Sequence, residues 1–260
     1  MKPITDANGA YESRPGSPGL LARLFPSLVF YVQYFVLMFY GSLLAMSGRF
    51  NMTLGQMGSV HILHALERVG VRVHIAGLNV LQSVEGPCVF VANHMSTLET
   101  MVLPGVIQPM KDVTFVVKRG LVRYPLFKYI MLAADPIVVD RSSARADLMA
   151  VLEQGTGYLQ RGRSVLIFPQ TTRTHHFDAR HFNSIGVKLA RAAQVPIVPI
   201  AVQSQAWGMG RIVKDFGPID PSRAVRIAFG EPIQVQGRGG DEQQSVVEFI
   251  TNQLAQWQGC

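Results

Sequence analysis

Pro87-Cys88-Val89-Phe90-Val91-Ala92-Asn93-His94-Met95-Ser96-Thr97-Leu98-Glu99 passes from an unbroken apolar run into a polar cluster, and then into an apolar-rich stretch ending near Ile107. A short apolar run bounded by turn residues suits a strand buried on both faces. The following stretch suits a helix. Strand, polar turn and helix in succession are the repeating unit of an α/β sheet.

The same alternation extends from this stretch. Further strands are expected at 71–75, 113–117, 136–139, 164–168, 197–202 and 225–229, with the first run at 87–92. Helices are expected at 97–107, 124–131, 144–161, 183–193 and 241–256. This predicts an α/β fold: a mixed, mostly parallel sheet flanked by helices. One domain is expected over 71–260, with no internal repeat.

Upstream the composition changes. No residue between Arg23 and Arg49 is charged, and 28–46 is almost wholly apolar. A run of about 20 residues can cross a hydrocarbon core about 30 Å thick. The segment is long, starts late and lacks a small-x-small cleavage site, so it reads as an N-terminal membrane helix rather than a signal peptide. Residues 51–70 have helical apolar spacing and read as an amphipathic helix on the bilayer or on the domain. Residues 1–22, rich in Pro, Gly and Ser at the start, are expected to form a flexible tail, and 23–70 the membrane and amphipathic helices.

Hydrophobic residues make up 48% and charged residues 16%, below the usual quarter for a soluble domain. That excludes a disordered chain and fits membrane contact. The formal charge of +7 suits an anionic partner. Nucleic acid is not expected, because the cations are not interleaved with stacking aromatics. Cys88 lies in a strand run and Cys260 is the last residue, so a structural disulfide is not expected and a reducing compartment fits.

In open α/β sheets the working residues gather at the carboxyl ends of strands. His94 and Glu99 follow the strand at 87–92. An imidazole can take a proton from a hydroxyl near neutral pH, and a carboxylate on its other nitrogen fixes the tautomer. Five residues apart on one helix, the two would be about 140° out of phase. They can meet only if His94 lies in the turn and Glu99 in the first helical turn. Lys118 and Arg119 follow another strand. Gln170, Thr171, Thr172 and Arg173 follow a third, and a guanidinium among hydroxyls can grip a phosphate. His175, His176, Asp178 and His181 lack the spacing of a common zinc motif and read as a polar loop. No Gly-x-Ser-x-Gly elbow or Gly-x-Gly-x-x-Gly turn occurs, which argues against a serine hydrolase or a dinucleotide site.

Read together, these blocks resemble the glycerolipid acyltransferases, including the 1-acyl-glycerol-3-phosphate acyltransferases. That family's Asn-His-x4-Asp is matched by Asn93-His94 through Glu99, and its Lys-Arg pair and later Pro by Lys118-Arg119 and Pro125. Phe-Pro-Glu-Gly-Thr-Arg is matched by Phe168-Pro169-Gln170-Thr171-Thr172-Arg173, and Val-Pro-Ile-Val-Pro by Val195 to Pro199. A downstream Phe-Lys-x-Gly falls at 182–186. The resemblance implies acyl transfer from acyl-CoA or acyl carrier protein to a lysophospholipid hydroxyl, with 1-acyl-glycerol-3-phosphate giving phosphatidic acid. It implies His94 as base, Glu99 as its orienting acid, and Lys118, Arg119 and Arg173, with Gln170, Thr171 and Thr172, around the acceptor. No metal, cofactor or acyl-enzyme is implied. The implied location is the bacterial inner membrane, with the domain on the cytoplasmic side. Glu99, Gln170 and Thr171 replace Asp, Glu and Gly, which leaves other lysolipids open as acceptors. The alternative is a non-catalytic module that binds anionic lipid.

Overall fold

The computed structural model describes residues 9–13, 16–124, 127–170 and 172–258. Pro125 and Thr171, both quoted in the sequence motifs, lie outside these residues, as does Cys260. The strands are β1 (Tyr11–Glu12), β2 (Val73–Ala76), β3 (Val89–Ala92), β4 (Val113–Lys118), β5 (Ile137–Val139), β6 (Ser164–Ile167), β7 (Ile197–Gln203) and β8 (Val225–Phe229). The helices are α1 (Leu20–Leu24), α2 (Pro26–Met46), α3 (Met52–Arg68), α4 (Val80–Ser83), α5 (Leu98–Ile107), α6 (Lys128–Ala133), α7 (Ala144–Gln160), α8 (Ile185–Ala193) and α9 (Gly240–Gln258).

The strands form one sheet in the order β1-β2-β8-β7-β3-β6-β4-β5. Strands β7, β3, β6, β4 and β5 run parallel, in register Val91 to Ile167 and Val91 to Pro199 at the centre. β8 is antiparallel to β7 but parallel to β2, and β1 closes the edge antiparallel to β2. The sheet is therefore mixed and mostly parallel, as the sequence predicts. Because five neighbouring strands share a direction, their carboxyl ends open on the same edge.

β3 is buried at every residue. Its side chains alternate between layers, as a strand's period of two requires. Phe90 and Ala92 join the core beneath α2, α3 and α5. Val89 and Val91 join the core beneath α7, α8 and α9. Two glycines permit the closest approaches. A Cβ on Gly105 of α5 would stand 2.4 Å from Ser59 Cβ on α3, and one on Gly186 of α8 would stand 2.5 Å from Val91 Cγ2.

α2 has 21 residues and spans about 31 Å at 1.5 Å per residue. Phe30, Tyr34, Met38 and Ser42, each four residues after the last, are buried against the domain. Val32, Val36, Phe39 and Leu43 on the rest of the surface are exposed. The helix is long and apolar enough to cross a membrane, yet it shares one core with the sheet and packs on α3 and α6.

Within the stretch expected to be a flexible tail, the described residues include a short strand and a helix. Tyr11 and Glu12 pair with Ile75 and His74. Tyr11 Oη and Ser13 Oγ both donate to Glu67 Oε1, at 2.7 and 2.6 Å. α1 then leads into α2.

Candidate active site

Asn93 ends β3 by making a backbone-like pair with its neighbour strand. Its Nδ2 donates to Val202 O at 2.8 Å and its Oδ1 accepts from Val202 N at 2.7 Å. The chain then leaves the sheet with His94 in a turn and Glu99 in the first turn of α5. That is the arrangement the phase argument demanded. His94 Nδ1 lies 2.9 Å from Glu99 Oε1. The ring stacks on Phe168 at 4.7 Å between centroids. Nδ1 donating to the carboxylate leaves Nε2 as the basic nitrogen, and His94 lines a cavity.

Glu99 is fully buried. Its Oε1 also accepts from Met95 N at 2.5 Å and Ser96 N at 2.8 Å. Its Oε2 accepts from Ser204 Oγ at 2.7 Å and Ser96 Oγ at 3.0 Å. Burial pushes the carboxyl upward, but the His94 hydrogen bond and charge, Ser204 and the Ser96 amide outweigh it. Glu99 is thereby held below the ordinary carboxylate value.

Gln170 follows β6 and is buried. Its Oε1 accepts from His94 N at 2.6 Å and its Nε2 donates to Thr174 Oγ1 at 2.8 Å. The side chain therefore clamps the His94 turn to the end of β6. An amide can do both at once, whereas an ionised carboxylate could only accept.

A cavity of about 760 Å³ opens over these strand ends. His94, Lys118, Gln170, Thr172 and Arg173 line it. Arg119 does not. Its guanidinium pairs with Asp140, with Nη2 to Oδ2 at 3.1 Å, on an exposed surface. Of the two adjacent cations expected around the acceptor, Lys118 is the one that lines the cavity.

Arg173 Nη2 lies 2.7 Å from Asp215 Oδ1, and its Nη1 donates to Thr97 Oγ1. Two cations that the sequence reading missed, Arg141 and Lys188, also line the cavity. Arg141 holds φ at 57°, in the left-handed region, and both Asp140 N and Arg141 N donate to Asp147 Oδ1 at 3.0 and 3.2 Å. Ser204, just beyond β7, and Arg141, just beyond β5, obey the same strand-end rule that picked out His94. Applied to every strand, that rule would have found both.

Trp207 is a buried residue whose Nε1 donates to Asp215 O at 3.1 Å. Cys88 is a buried core residue, its thiol pushed up to about 11 by burial. In the His175–His181 loop, His181 Nδ1 meets Asp178 Oδ2 at 3.1 Å, and Asp178 also pairs with Arg180.

A family model described as Acyltransferase matches residues 72–203, which hold most of the site: His94, Glu99, Lys118, Gln170 and Arg173. The chain belongs to the acyltransferase family. Within it, a 1-acyl-sn-glycerol-3-phosphate acyltransferase of Pseudomonas aeruginosa is 33% identical over 171 residues, covering 65% of this chain and 62% of the relative. The match thus spans less than two thirds of that relative's length. A Mycoplasma pneumoniae protein named "Probable 1-acyl-sn-glycerol-3-phosphate acyltransferase" is 27% identical over 241 residues, covering 88% of this chain and 90% of its own. The crystal structure of a 1-acyl-sn-glycerophosphate (LPA) acyltransferase from Thermotoga maritima superposes with a TM-score of 0.68 at 17% identity, covering 92% of this chain and 98% of that one. That likeness establishes the acyltransferase fold. Ser204 and Asp215 lie beyond the matched residues, on the segment that follows β7.

Proposed function

We propose that this chain moves a fatty acyl group from an acyl thioester to a lysophospholipid hydroxyl, with 1-acyl-glycerol-3-phosphate as acceptor and phosphatidic acid as product. The observation that carries this is the His94 Nδ1 to Glu99 Oε1 contact at 2.9 Å, on the wall of a cavity lined by Lys118, Arg141, Arg173 and Lys188. The names of the relatives support the same acceptor.

His94 Nε2 takes the hydroxyl proton as the acceptor oxygen attacks the thioester carbonyl carbon. Glu99, ionised, stabilises the imidazolium. The tetrahedral intermediate collapses with cleavage of the C–S bond, and the imidazolium returns its proton to the departing thiolate. Products are the acylated lipid and a free thiol, and the histidine is regenerated neutral. Lys118, Arg141 and Arg173 hold the acceptor phosphate, Gln170 keeps the His94 turn in place, and Thr172 borders the acceptor. The donor is acyl-CoA or acyl carrier protein, both anionic and both suited to a basic rim. A smaller apolar cavity of about 200 Å³, between α2, α3 and α6, shares Met101, Phe115 and Phe127 with the main one and suits an acyl chain. The apolar face of α2 supports work at a bilayer, on the cytoplasmic side of a bacterial inner membrane where thioester donors are available.

Ser204 gives Glu99 Oε2 one of its two hydroxyl donors. A hydrogen bond to a charged group contributes about 1.5–3 kcal/mol, so Ser204→Ala is expected to lower kcat about tenfold or more. The acceptor KM should be unchanged in steady-state kinetics, since Ser204 does not line the cavity. Arg173→Ala is expected to raise the KM for a phosphate-bearing acceptor by about 10–100-fold through loss of charge-assisted bonds, with a smaller effect on kcat.

The whole reading is tested by an acceptor screen that follows thiol release from an acyl thioester across a panel of lysolipids. Release with 1-acyl-glycerol-3-phosphate, absent in His94→Ala, is the expected result. No release with any acceptor would favour the non-catalytic lipid-binding module.

A further inference from the structure

Behind the active site, the chain makes an excursion between β7 and β8 that the acyl-transfer chemistry leaves unexplained. From Gly208 to Gly217 it leaves the domain surface and returns, with Gly208 N donating to Pro218 O at 2.9 Å and Phe216 N to Val213 O at 3.0 Å. The turn is tight by construction. A Cβ on Gly210 would stand 2.1 Å from Val213 O, and one on Gly217 would stand 2.0 Å from Gly208 O. At its tip Arg211, Ile212, Val213 and Lys214 are all exposed, and Ile212 is 96% exposed.

The base of this excursion is fastened to α2. Tyr31 Oη donates to Gly217 O at 2.5 Å, and Ile219 N donates to Ser27 Oγ at 2.9 Å. The Phe216 ring packs on Tyr31, Tyr34 and Phe35, at 5.9, 6.1 and 5.4 Å between centroids. Phe35 in turn is partly exposed, on the same helix as exposed Leu28, Val32 and Val36, which follow Leu24 and Phe25 of the preceding turn. The apolar surface of the N-terminal helices is therefore joined to this excursion through Phe216.

A single exposed aliphatic residue needs no explanation. Here two adjacent ones stand between two cations, on a glycine-closed turn fixed to an apolar helix. Aliphatic side chains flanked by cations match the layering of an anionic bilayer, with hydrocarbon beneath phosphate. A soluble anionic protein would meet the charges but offer no hydrocarbon to Ile212.

We propose that the Arg211–Lys214 tip is a second bilayer contact, in which Ile212 and Val213 enter the acyl region of an anionic phospholipid membrane while Arg211 and Lys214 pair with headgroup phosphates. The proposal rests on the reading of α2 as a membrane segment. Its consequence for the enzyme is positional. Asp215 and Phe216, the next two residues, line the active-site cavity, so docking of the tip brings that wall of the cavity to the lipid surface.

The test uses the full chain with Cys260→Ser, in which Cys88 stays buried. Single cysteines at Ile212→Cys, Val36→Cys and Gln244→Cys carry an environment-sensitive fluorophore. The protein is reconstituted with phosphatidylglycerol–phosphatidylethanolamine vesicles, plain or brominated on the upper acyl carbons. The expected result is blue-shifted, bromine-quenched emission at positions 212 and 36 and neither at 244, with quenching at 212 lost when phosphatidylcholine replaces both lipids. Quenching at 36 with an aqueous signal at 212 would overturn the tip contact and leave the membrane reading of α2 standing. Aqueous signals at both would overturn the two together. A blue shift at 212 without bromine quenching would mean a protein partner instead of lipid, and equal quenching in phosphatidylcholine would overturn the role of anionic headgroups.

Discussion

His94→Ala is expected to abolish acyl transfer while leaving the protein folded and able to bind lipid. A positioned general base contributes on the order of 10²–10⁴-fold to proton transfer, and kcat should fall by that factor. Among the described residues, the two other carboxylates on the cavity are already engaged: Asp147 by the backbone amides of Asp140 and Arg141, and Asp215 by Arg173. Glu99 is fully buried, and His94, Met95, Ser96 and Ser204 all donate to it. Gln170 is a neutral amide. Lys118, Arg141, Arg173 and Lys188 line the cavity as cations, suited to binding anions. The fold should survive because the His94 turn is held by its backbone, through Gln170 Oε1, and by Asn93 on β7. Thiol release measured at saturating acceptor, alongside near-ultraviolet circular dichroism, checks both halves. Full turnover in a folded variant would remove the chemistry from this residue.

The sheet was legible because its strands are short apolar runs between turn residues, a pattern that survives without knowledge of partners. Each expected strand from residue 71 onward has a counterpart, and 225–229 coincides with β8. What escaped were elements whose stability is borrowed from distant residues. β1 has two residues in a Gly- and Pro-rich context, and it exists because β2 offers an edge and Glu67 accepts the hydroxyls of Tyr11 and of Ser13 just after it. The helix expected at 124–131 begins only at Lys128, because a 3-10 turn at Leu121–Arg123 and an extended Tyr124 precede it.

The site followed the same division. His94 and Glu99 are close in sequence, so spacing and helix phase sufficed to pair them. Ser204 lies 105 residues from Glu99 and Asp215 lies 42 from Arg173, and no local pattern joins them. Lys118 and Arg119 are indistinguishable in sequence, and only the direction of each side chain at the end of β4 separates the cavity residue from the one paired with Asp140. Gln170 is expected from the sequence to lie around the acceptor. Its two hydrogen bonds tie the catalytic turn to the end of β6, the amide oxygen accepting from His94 N and the amide nitrogen donating to Thr174 Oγ1.

Glu99→Gln should produce the second large loss, and it isolates charge from geometry. The amide has the same length, so its oxygen can keep the three donors now on Oε1: His94 Nδ1, Met95 N and Ser96 N. Its NH2 would then face Ser96 Oγ and Ser204 Oγ, hydroxyls that can rotate to accept. The His94 tautomer is therefore preserved, and only the negative charge behind it disappears. If that charge stabilises the imidazolium formed during attack, kcat should fall on the order of 10²–10⁴-fold with acceptor KM nearly constant, since Glu99 is sealed from the cavity. If the carboxylate only aims the ring, the amide should serve almost as well. Glu99→Ala would confuse the two, because it leaves His94 Nδ1, two backbone amides and two hydroxyls facing a buried gap. The comparison of kcat between the Gln and wild-type proteins therefore decides whether the buried acid works through its charge or through its shape.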